Sequence, residues 1–448
     1  MTDRLATFTE QLLGAARRAG ADAADAIAVD GTSVSIEVLK GKLEHAERAE
    51  GVDLGLRVMV GRRQACVSAS DTSASTIETM AERAVAMARE APEDPYIAQA
   101  EPGQFATEWD AAALEMADGA DEPSAETMQA LALEAEAAAL AVSGVSQVQG
   151  AGTTYSRRAM HLATSAGFSG GYARTGSSVS CVAIAGEGAA MERDYDGDSR
   201  TFFSDLRSAT EIGRLAGERA VERLGARKPP TGAFPVLYDE RISGGLIGHM
   251  LGALNGSAIV RGSSWLRDAL GEEILPAWIT VEEDPHRPRV SGSRPFDGEG
   301  LPTRRRRIVE NGVLTGWTLD LATARQLGME STANAARGTS SPPSPSVSNV
   351  RMTQGEKSRA ELLSEIGTGL LITSMIGTSI NPTTGDYSRG ASGFWVENGE
   401  ITYPVNECTV AGNLRDMLRR LTPANDARTH LSRVVPSLLV EGLTLAGA

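Results

Sequence analysis

The paired prolines in Arg227-Lys228-Pro229-Pro230-Thr231-Gly232 divide this chain. Neither ring can continue a helix arriving from upstream, and the glycine frees the backbone to turn away. The hydrophobic pattern differs on the two sides. Upstream, helical and alternating stretches interleave. Leu5, Phe8, Leu12, Leu13 and Ala16 have helical spacing with Gly20 as a stop. Val34, Ile36 and Val38 alternate with polar neighbours, as do Val52, Leu54, Leu56, Val58 and Val60, and Gly61-Arg62-Arg63 turns the chain before Ala65. Ile77, Met80, Ala81, Ala84, Val85 and Ala88 return to helical period until Pro92 ends it. A second unit has a similar outline: a helix over 124–142, strands near 145–151 and 177–186, and a helix over 209–224 entered by a capping box of Ser208 and Glu211. Downstream of the prolines, short alternating runs rich in Gly, Ser and Thr predict a β-rich domain, and 340–348 is too proline-dense to be regular. The expected fold class is α+β, with an N-terminal α/β region of antiparallel sheet and helices and a C-terminal β-rich domain carrying a glycine-striped helix. The expected domains are 1–110, 111–228 and 229–448. At 448 residues each can bury a core of its own.

The striped helix lies at 243–256. Leu246, Ile247, Met250, Leu251 and Leu254 form one apolar face, while Gly244, Gly248, Gly252 and Gly256 recur every fourth residue, ~40° apart around a helix. Each glycine costs about 1 kcal/mol relative to alanine. The stripe therefore predicts either another backbone in close approach or a distorted helix.

Charge and cysteine content narrow the function classes. A net charge of -15 argues against a nucleic-acid partner, because phosphate backbones are bound through clustered Lys and Arg. Cys66, Cys181 and Cys408 stand far apart with no CxxC pair, which fits buried thiols in a reducing compartment. Residues 1–13 lack the sections of a signal peptide, and no apolar run approaches a membrane span. The expected location is the cytoplasm, with no membrane partner.

Four motifs invite chemistry. A catalytic zinc needs three protein ligands, commonly two histidines on one helix with a glutamate between them. His45, His161, His249, His286 and His430 are solitary, and none precedes a Glu. Asp194, Asp196, Asp198 and Asp205 have calcium-loop spacing, but Ser199 replaces the glycine and Asp205 the bidentate Glu, so a solvated acidic turn is expected. Gly167-Phe168-Ser169-Gly170-Gly171 matches the nucleophile-elbow pattern without the buried apolar strand that should precede it, so a hairpin turn is expected. The run Arg304 to Arg307 would alternate faces as a strand.

Beyond these, Gly385-Asp386-Tyr387-Ser388-Arg389-Gly390, continuing through Gly393-Phe394-Trp395-Val396-Glu397-Asn398-Gly399 to Gly412-Asn413, resembles the C-terminal signature of the TldD/PmbA metallopeptidase family. Phe296-Asp297-Gly298-Glu299-Gly300, Asn311-Gly312, Asn349 and the ending Pro436-Ser437-Leu438-Leu439 extend the resemblance over 233–448. One branch of that family carries HExxxH on a helix and a C-terminal cysteine as zinc ligands and base. Matched through Leu246 and Gly252, those positions hold Gly248, His249 and Ala253 here, and no cysteine follows Cys408. With Asn255-Gly256-Ser257 and Arg261-Gly262-Ser263-Ser264, the pattern is similar to the PmbA (TldE) branch. The resemblance implies a non-catalytic subunit with no cofactor of its own, paired as a heterodimer with a TldD-type paralogue that binds zinc and cuts unfolded or small peptides. A homodimer is implied where the paralogue is missing. Asn255, Arg261, Asp386, Tyr387 and Arg389 are its candidates for chamber wall or interface, and extended peptides its ligands. The family's link to DNA gyrase modulation would then be indirect, through proteolysis. A stand-alone peptide-binding homodimer without hydrolytic activity is the alternative.

Overall fold

The structure is a computed structural model describing residues 2–97 and 99–447. Its first half is one open antiparallel sheet. Helix α1 (Thr2–Ala19) leads into β1 (Ala23–Leu39), β2 (Lys42–Val60), β3 (Arg63–Ala69) and α2 (Ala74–Glu90). The order recurs as α3 (Ala125–Leu140), β4 (Val145–Thr164), β5 (Ser169–Ala185), β6 (Glu192–Arg200) and α4 (Ala209–Glu222). Pairing of β1 with β4, Asp25 opposite Thr164, joins both units into the order β3-β2-β1-β4-β5-β6.

Period-two alternation decides what each face of this sheet meets. On β1, Ala24, Ala26 and Ala28 pack under α1 and α2, while the intervening Asp25 and Ile27 face the second half of the chain. The expected faces of α1 and α2 hold, with Leu5, Leu12, Ala16, Ile77, Met80, Ala81, Ala84, Val85 and Ala88 all buried. Ser208 caps α4 as expected, but the reciprocal half of the box is missing. Glu211 binds Arg207 instead. The acidic stretch at 194–198 is not a solvated turn; it is strand β6, and its three aspartates share one buried face.

Beyond the prolines, β7 (Gly232–Tyr238), α5 (Glu240–Ala253), α6 (Gly256–Val260), β8 (Val281–Glu283), β9 (Arg306–Glu310), β10 (Val313–Leu314), α7 (Leu321–Leu327), β11 (Ala335–Ala336), β12 (Ser344–Pro345) and β13 (Val350–Met352) follow. Next come α8 (Arg359–Ile366), β14 (Gly369–Ile380), β15 (Asp386–Glu397), β16 (Glu400–Asn413), α9 (Leu414–Arg419), β17 (Leu421–Pro423), β18 (Arg433–Val434) and β19 (Leu438–Ala446). The order β16-β15-β14-β7-β19 closes on itself through β19 and β16, Thr409 opposite Ala446. The result is a five-stranded barrel with no free edge among those strands. A second sheet, β10-β9-β8-β13-β18, lies beside it. Asn311 and Gly312 both take positive φ in the β9–β10 turn, as a two-residue hairpin requires. The proline-dense stretch at 340–348 is irregular except for β12.

The barrel and the apolar face of α5 share one core. Leu246, Ile247, Met250, Leu251 and Leu254 are buried with Tyr238, Tyr387, Trp395 and Val410. Two charged seams run at the junction of the halves, and Arg337 and Arg241 are the arginines in them that cross it. Asp25 accepts from Arg57 on β2 at 2.7 Å and from Arg337 of the C-terminal half, all three side chains being buried. Along β6, Asp194 meets Arg223 and Arg241, Asp196 meets Arg207 and Arg219, and Asp198 meets Arg200.

Candidate functional site

The degenerate motif positions lie on α5, whose entry is held by charge. Asp239 caps the helix, accepting from the Arg241 backbone N–H at 3.1 Å, and also binds Arg359. Arg241 bridges Asp239 and Asp194, each at 3.1 Å, so the β6 seam reaches the first turn of α5. Burial opposes the charge on Arg241, but Asp239 and Asp194 outweigh it and raise the pKa. Glu240 pairs with Arg428 at 2.6 Å, and burial raises its pKa. Together these contacts fix the direction in which the rest of the helix points.

The helix runs unbroken to Ala253, and Gly256 belongs to α6, so three glycines make up the stripe. What the stripe admits is a side chain, contrary to the expectation of a second backbone or a distorted helix. Arg433 of β18 lies over it and donates from Nη1 to the Gly244 carbonyl at 3.1 Å. A methyl group on Gly248 would sit 2.8 Å from that Nη1, and one on Gly244 would sit 3.4 Å from Arg433 Cδ. Nothing lies within 4 Å of the corresponding point on Gly252. Two of the three glycines therefore form a bed for an arginine.

Of Gly248, His249 and Ala253, only His249 carries a ligating atom. Its ring meets Tyr387 edge-on, with centroids 6.1 Å apart, and its Nε2 is buried without a hydrogen-bond partner. Burial, then Arg389 and Arg433, lower its pKa, which keeps the imidazole neutral near pH 7. Tyr387 is buried on β15 and donates to Met375 Sδ at 3.3 Å. Burial raises its pKa, and so it does for Tyr238, which is buried beside it. Arg389 donates from Nε to the Gly377 carbonyl at 2.7 Å.

This arrangement does not suit a catalytic zinc. Such a site needs three ligands and, commonly, carboxylates to offset the metal's charge. One imidazole faced by two arginines offers neither. Among the described residues, no three His, Cys, Asp or Glu side chains converge elsewhere to hold a metal. Cys408 is buried, donates to the Ala391 carbonyl at 3.2 Å, and has a thiol pKa pushed by burial to about 11. It is no thiolate ligand.

The other candidate residues separate by role. Tyr387 and Arg389 join His249. Asn255 caps α6 and donates to the Pro345 carbonyl at 2.7 Å, which is a structural task. Arg261 follows α6 and is exposed. Asp386 stands at the foot of β15, accepting from Thr384 at 2.6 Å and Asn413 at 3.1 Å, and those bonds lower its pKa. Sequence reasoning missed Arg433. The four-residue glycine spacing announced a bare groove, but nothing in Ser432-Arg433-Val434 marks which side chain fills it.

The remaining motifs are structural. Gly167 to Gly171 spans the β4–β5 hairpin as expected, not a strand–helix elbow. Ser169 Oγ is 3.3 Å from His161 Nε2, but Nδ1 of that histidine faces the Thr9 hydroxyl at 2.9 Å. A hydroxyl cannot stabilise an imidazolium as a carboxylate does, and burial lowers the His161 pKa. Of the arginine run only Arg306 and Arg307 lie in strand β9, while Arg304 and Arg305 precede it and are exposed. Arg306 turns inward to Glu283 at 2.7 Å, while Arg305 pairs with Glu282 and Arg307 with Glu310. Arg305 and Arg307 line an open groove of about 540 Å³ with Arg287 and Arg351.

Comparison with known proteins agrees with this architecture. Three family models match in order: PmbA/TldA metallopeptidase domain 1 over residues 24–88, the central domain over 118–224, and the C-terminal domain over 231–447. The metalloprotease PmbA of Escherichia coli O157:H7 is 35% identical over 95% of this chain and 92% of its own length. The PmbA homologue of Haemophilus influenzae is 36% identical over 96% and 94%. Among solved structures, a protein of Bacteroides thetaiotaomicron described as a modulator of DNA gyrase superimposes with a TM-score of 0.92 at 28% identity, covering 100% of both chains. TldE from Thermococcus kodakarensis shares the fold, with a TM-score of 0.84 at 20% identity over 98% of this chain and 100% of that one.

Proposed function

The chain belongs to the PmbA/TldD metallopeptidase family, and from that premise we propose that it is the non-catalytic subunit of a two-chain zinc metallopeptidase. A TldD-type paralogue supplies the zinc ligands and general base, and this chain completes the enclosure in which unfolded or small peptides are cut. The observation that carries the reading is the α5 face, where the positions the family's active branch uses for metal hold one neutral imidazole, with Arg433 lying over the adjacent Gly248. A zinc-bound hydroxide needs ligands that bring its pKa near 7 and a base beside it. Glycine and alanine at 248 and 253 supply neither.

Within this reading the closed barrel is a rigid wall rather than a strand-addition surface, because its strands have no free edge. The open edges β3 and β6 of the N-terminal sheet and β10 and β18 of the smaller sheet remain for extended partners. Free thiols at Cys66, Cys181 and Cys408 suit a cytoplasmic location, and no helix of the described residues is long and apolar enough to cross a membrane. The net charge of -15 supports an indirect route for any effect on DNA gyrase.

The test is assembly. Light scattering of this chain mixed with a TldD-type paralogue from the same genome is expected to give a one-to-one complex that displaces each chain's self-association. A homodimer of this chain that persists beside the paralogue would favour the stand-alone peptide-binding protein instead.

A further inference from the structure

The outward face of the smaller sheet gathers more arginine than its own carboxylates neutralise. Strand pairing sets Glu282 of β8 opposite both Arg307 of β9 and Arg351 of β13, and Arg351 opposite Val434 of β18, so these four share one row across the sheet. Alternation sends their neighbours the other way. Val281 and Val350 enter the core shared with the barrel, and Glu283 is taken by Arg306.

Glu282 is the floor of the outward row. Its side chain is 10% exposed, and its two oxygens serve two arginines: Oε2 accepts from Arg305 Nη2 at 2.7 Å, while Oε1 accepts from Arg351 Nη2 at 2.8 Å and Nε at 2.9 Å. Both arginine side chains stay about half exposed, at 55% and 50%. One carboxylate thus orients two five-donor forks without neutralising both. Arg307 pairs with Glu310. Arg287 donates to the Leu431 carbonyl at 3.0 Å and to the Thr429 carbonyl, and among the described residues no carboxylate lies within ion-pair distance of it. Burial lowers its pKa, with Asp284 opposing and Arg351 adding to the effect. All four arginines line one open groove of about 540 Å³, in which Glu282 is the one acidic residue among the described lining residues.

The occupant that fits such a groove is an anion spread along a chain. Neighbouring strands lie about 4.8 Å apart, so Arg307 and Arg351, on either side of β8, are rooted about 10 Å apart. A single phosphate meets one or two of these forks. Carboxylates at alternate positions of an extended peptide, about 7 Å apart on one side of it, meet several. None of the described lining residues is aromatic, which removes the stacking platform that a nucleobase uses. With a net charge of -15, the chain repels an acidic peptide except where arginines outnumber carboxylates, which confines binding to this face.

We propose that this groove binds an acidic stretch of an extended peptide, its alternate Glu or Asp side chains set on Arg305, Arg307, Arg351 and Arg287. The assignment rests on the reading that this chain handles peptides, and it names the class: segments with clustered carboxylates. Glu282 is the positioning residue that holds Arg305 and Arg351 ready.

Calorimetric titration of the isolated full-length chain at low salt tests it. The probes are an acetylated, amidated Ser-Glu-Gly-Glu-Gly-Glu-Ser peptide, the same peptide with Gln at each Glu position, and tripolyphosphate. The Glu peptide is expected to bind about tenfold or more tightly than the Gln peptide, and to lose that advantage as salt screens the charges. Arg305→Gln and Arg351→Gln should each weaken it several-fold, whereas Arg304→Gln, an exposed change outside the groove, should leave it unaltered. Equal affinity for the two peptides, no detectable binding, a preference untouched by Arg305→Gln and Arg351→Gln, or tighter binding of tripolyphosphate than of the Glu peptide overturns the proposal. The comparison of probes on the unaltered chain decides the matter even if a variant fails to fold. Because the titration needs neither the paralogue nor hydrolysis, its failure is distinct from failure of the two-chain reading, which assembly and zinc content test.

Discussion

The Asp25 and β6 seams and the α5 face both concentrate arginine, and they treat it in opposite ways. At the seams, every arginine named above is set against an aspartate: Asp25 between Arg57 and Arg337 and Asp194 between Arg223 and Arg241 span the two halves, while Asp196 between Arg207 and Arg219 holds β6 to its own half. By contrast, Arg433 rests on the Gly244 carbonyl of α5 and Arg389 on the Gly377 carbonyl of β14, and both depress the pKa of the neutral His249 imidazole. The difference separates cations neutralised within the fold from cations with no carboxylate partner among the described residues. A buried charge without its partner is costly, so a paired seam is a stability device. A half-exposed charge without one retains its capacity to bind.

The largest expected effect comes from breaking a seam. Asp25→Ala leaves Arg57 and Arg337 buried and unopposed and should cost about 3–5 kcal/mol, read as a shift in the urea midpoint. A loss below about 1 kcal/mol would mean that the seam is not a structural lock. A subtler effect concerns pH. Glu299, buried near Arg57, is pushed to about 8 by burial and by Asp297 and Asp320. A carboxyl with a raised folded pKa contributes stability that is full below its unfolded pKa and is lost as pH rises through the folded value. Stability should therefore decline from pH ~4.5 to ~8, and Glu299→Gln should flatten that slope. A slope unchanged in the variant would assign it to another group.

The smallest effects discriminate within the glycine stripe. Gly252→Ala meets nothing within 4 Å and should stabilise by up to about 1 kcal/mol through helix propensity. Gly248→Ala gains the same propensity but must displace the Arg433 guanidinium, so it should gain less or lose. Equal thermal shifts for the two would show that Arg433 does not depend on its bed.

Much of the architecture is legible in the sequence where local physics decides it. The buried faces of α1, α2 and α5 and the β1–β2–β3 meander follow from periodicity. Strand β6 was illegible because Asp194, Asp196 and Asp198 alternate as a strand yet read as polar, and only arginines distant in sequence make that face inward. Barrel closure depends on Thr409 meeting Ala446 across the structure, which no local pattern encodes. At the candidate site, Gly248, His249 and Ala253 could be placed by resemblance, and Tyr387 and Arg389 stood in a recognisable motif. Arg433 could not be found that way, since its role is defined by a groove on another element.

The central claim is that this chain lacks the means to hold a catalytic zinc, and metal analysis with peptidase assay tests it most directly. The isolated chain, the isolated TldD-type paralogue and their mixture would each be assayed for bound zinc and for cleavage of an unstructured peptide. The account predicts that the isolated chain is zinc-free and inactive, and that zinc and full cleavage belong to the complex. Stoichiometric zinc together with peptide cleavage by the isolated chain would contradict it.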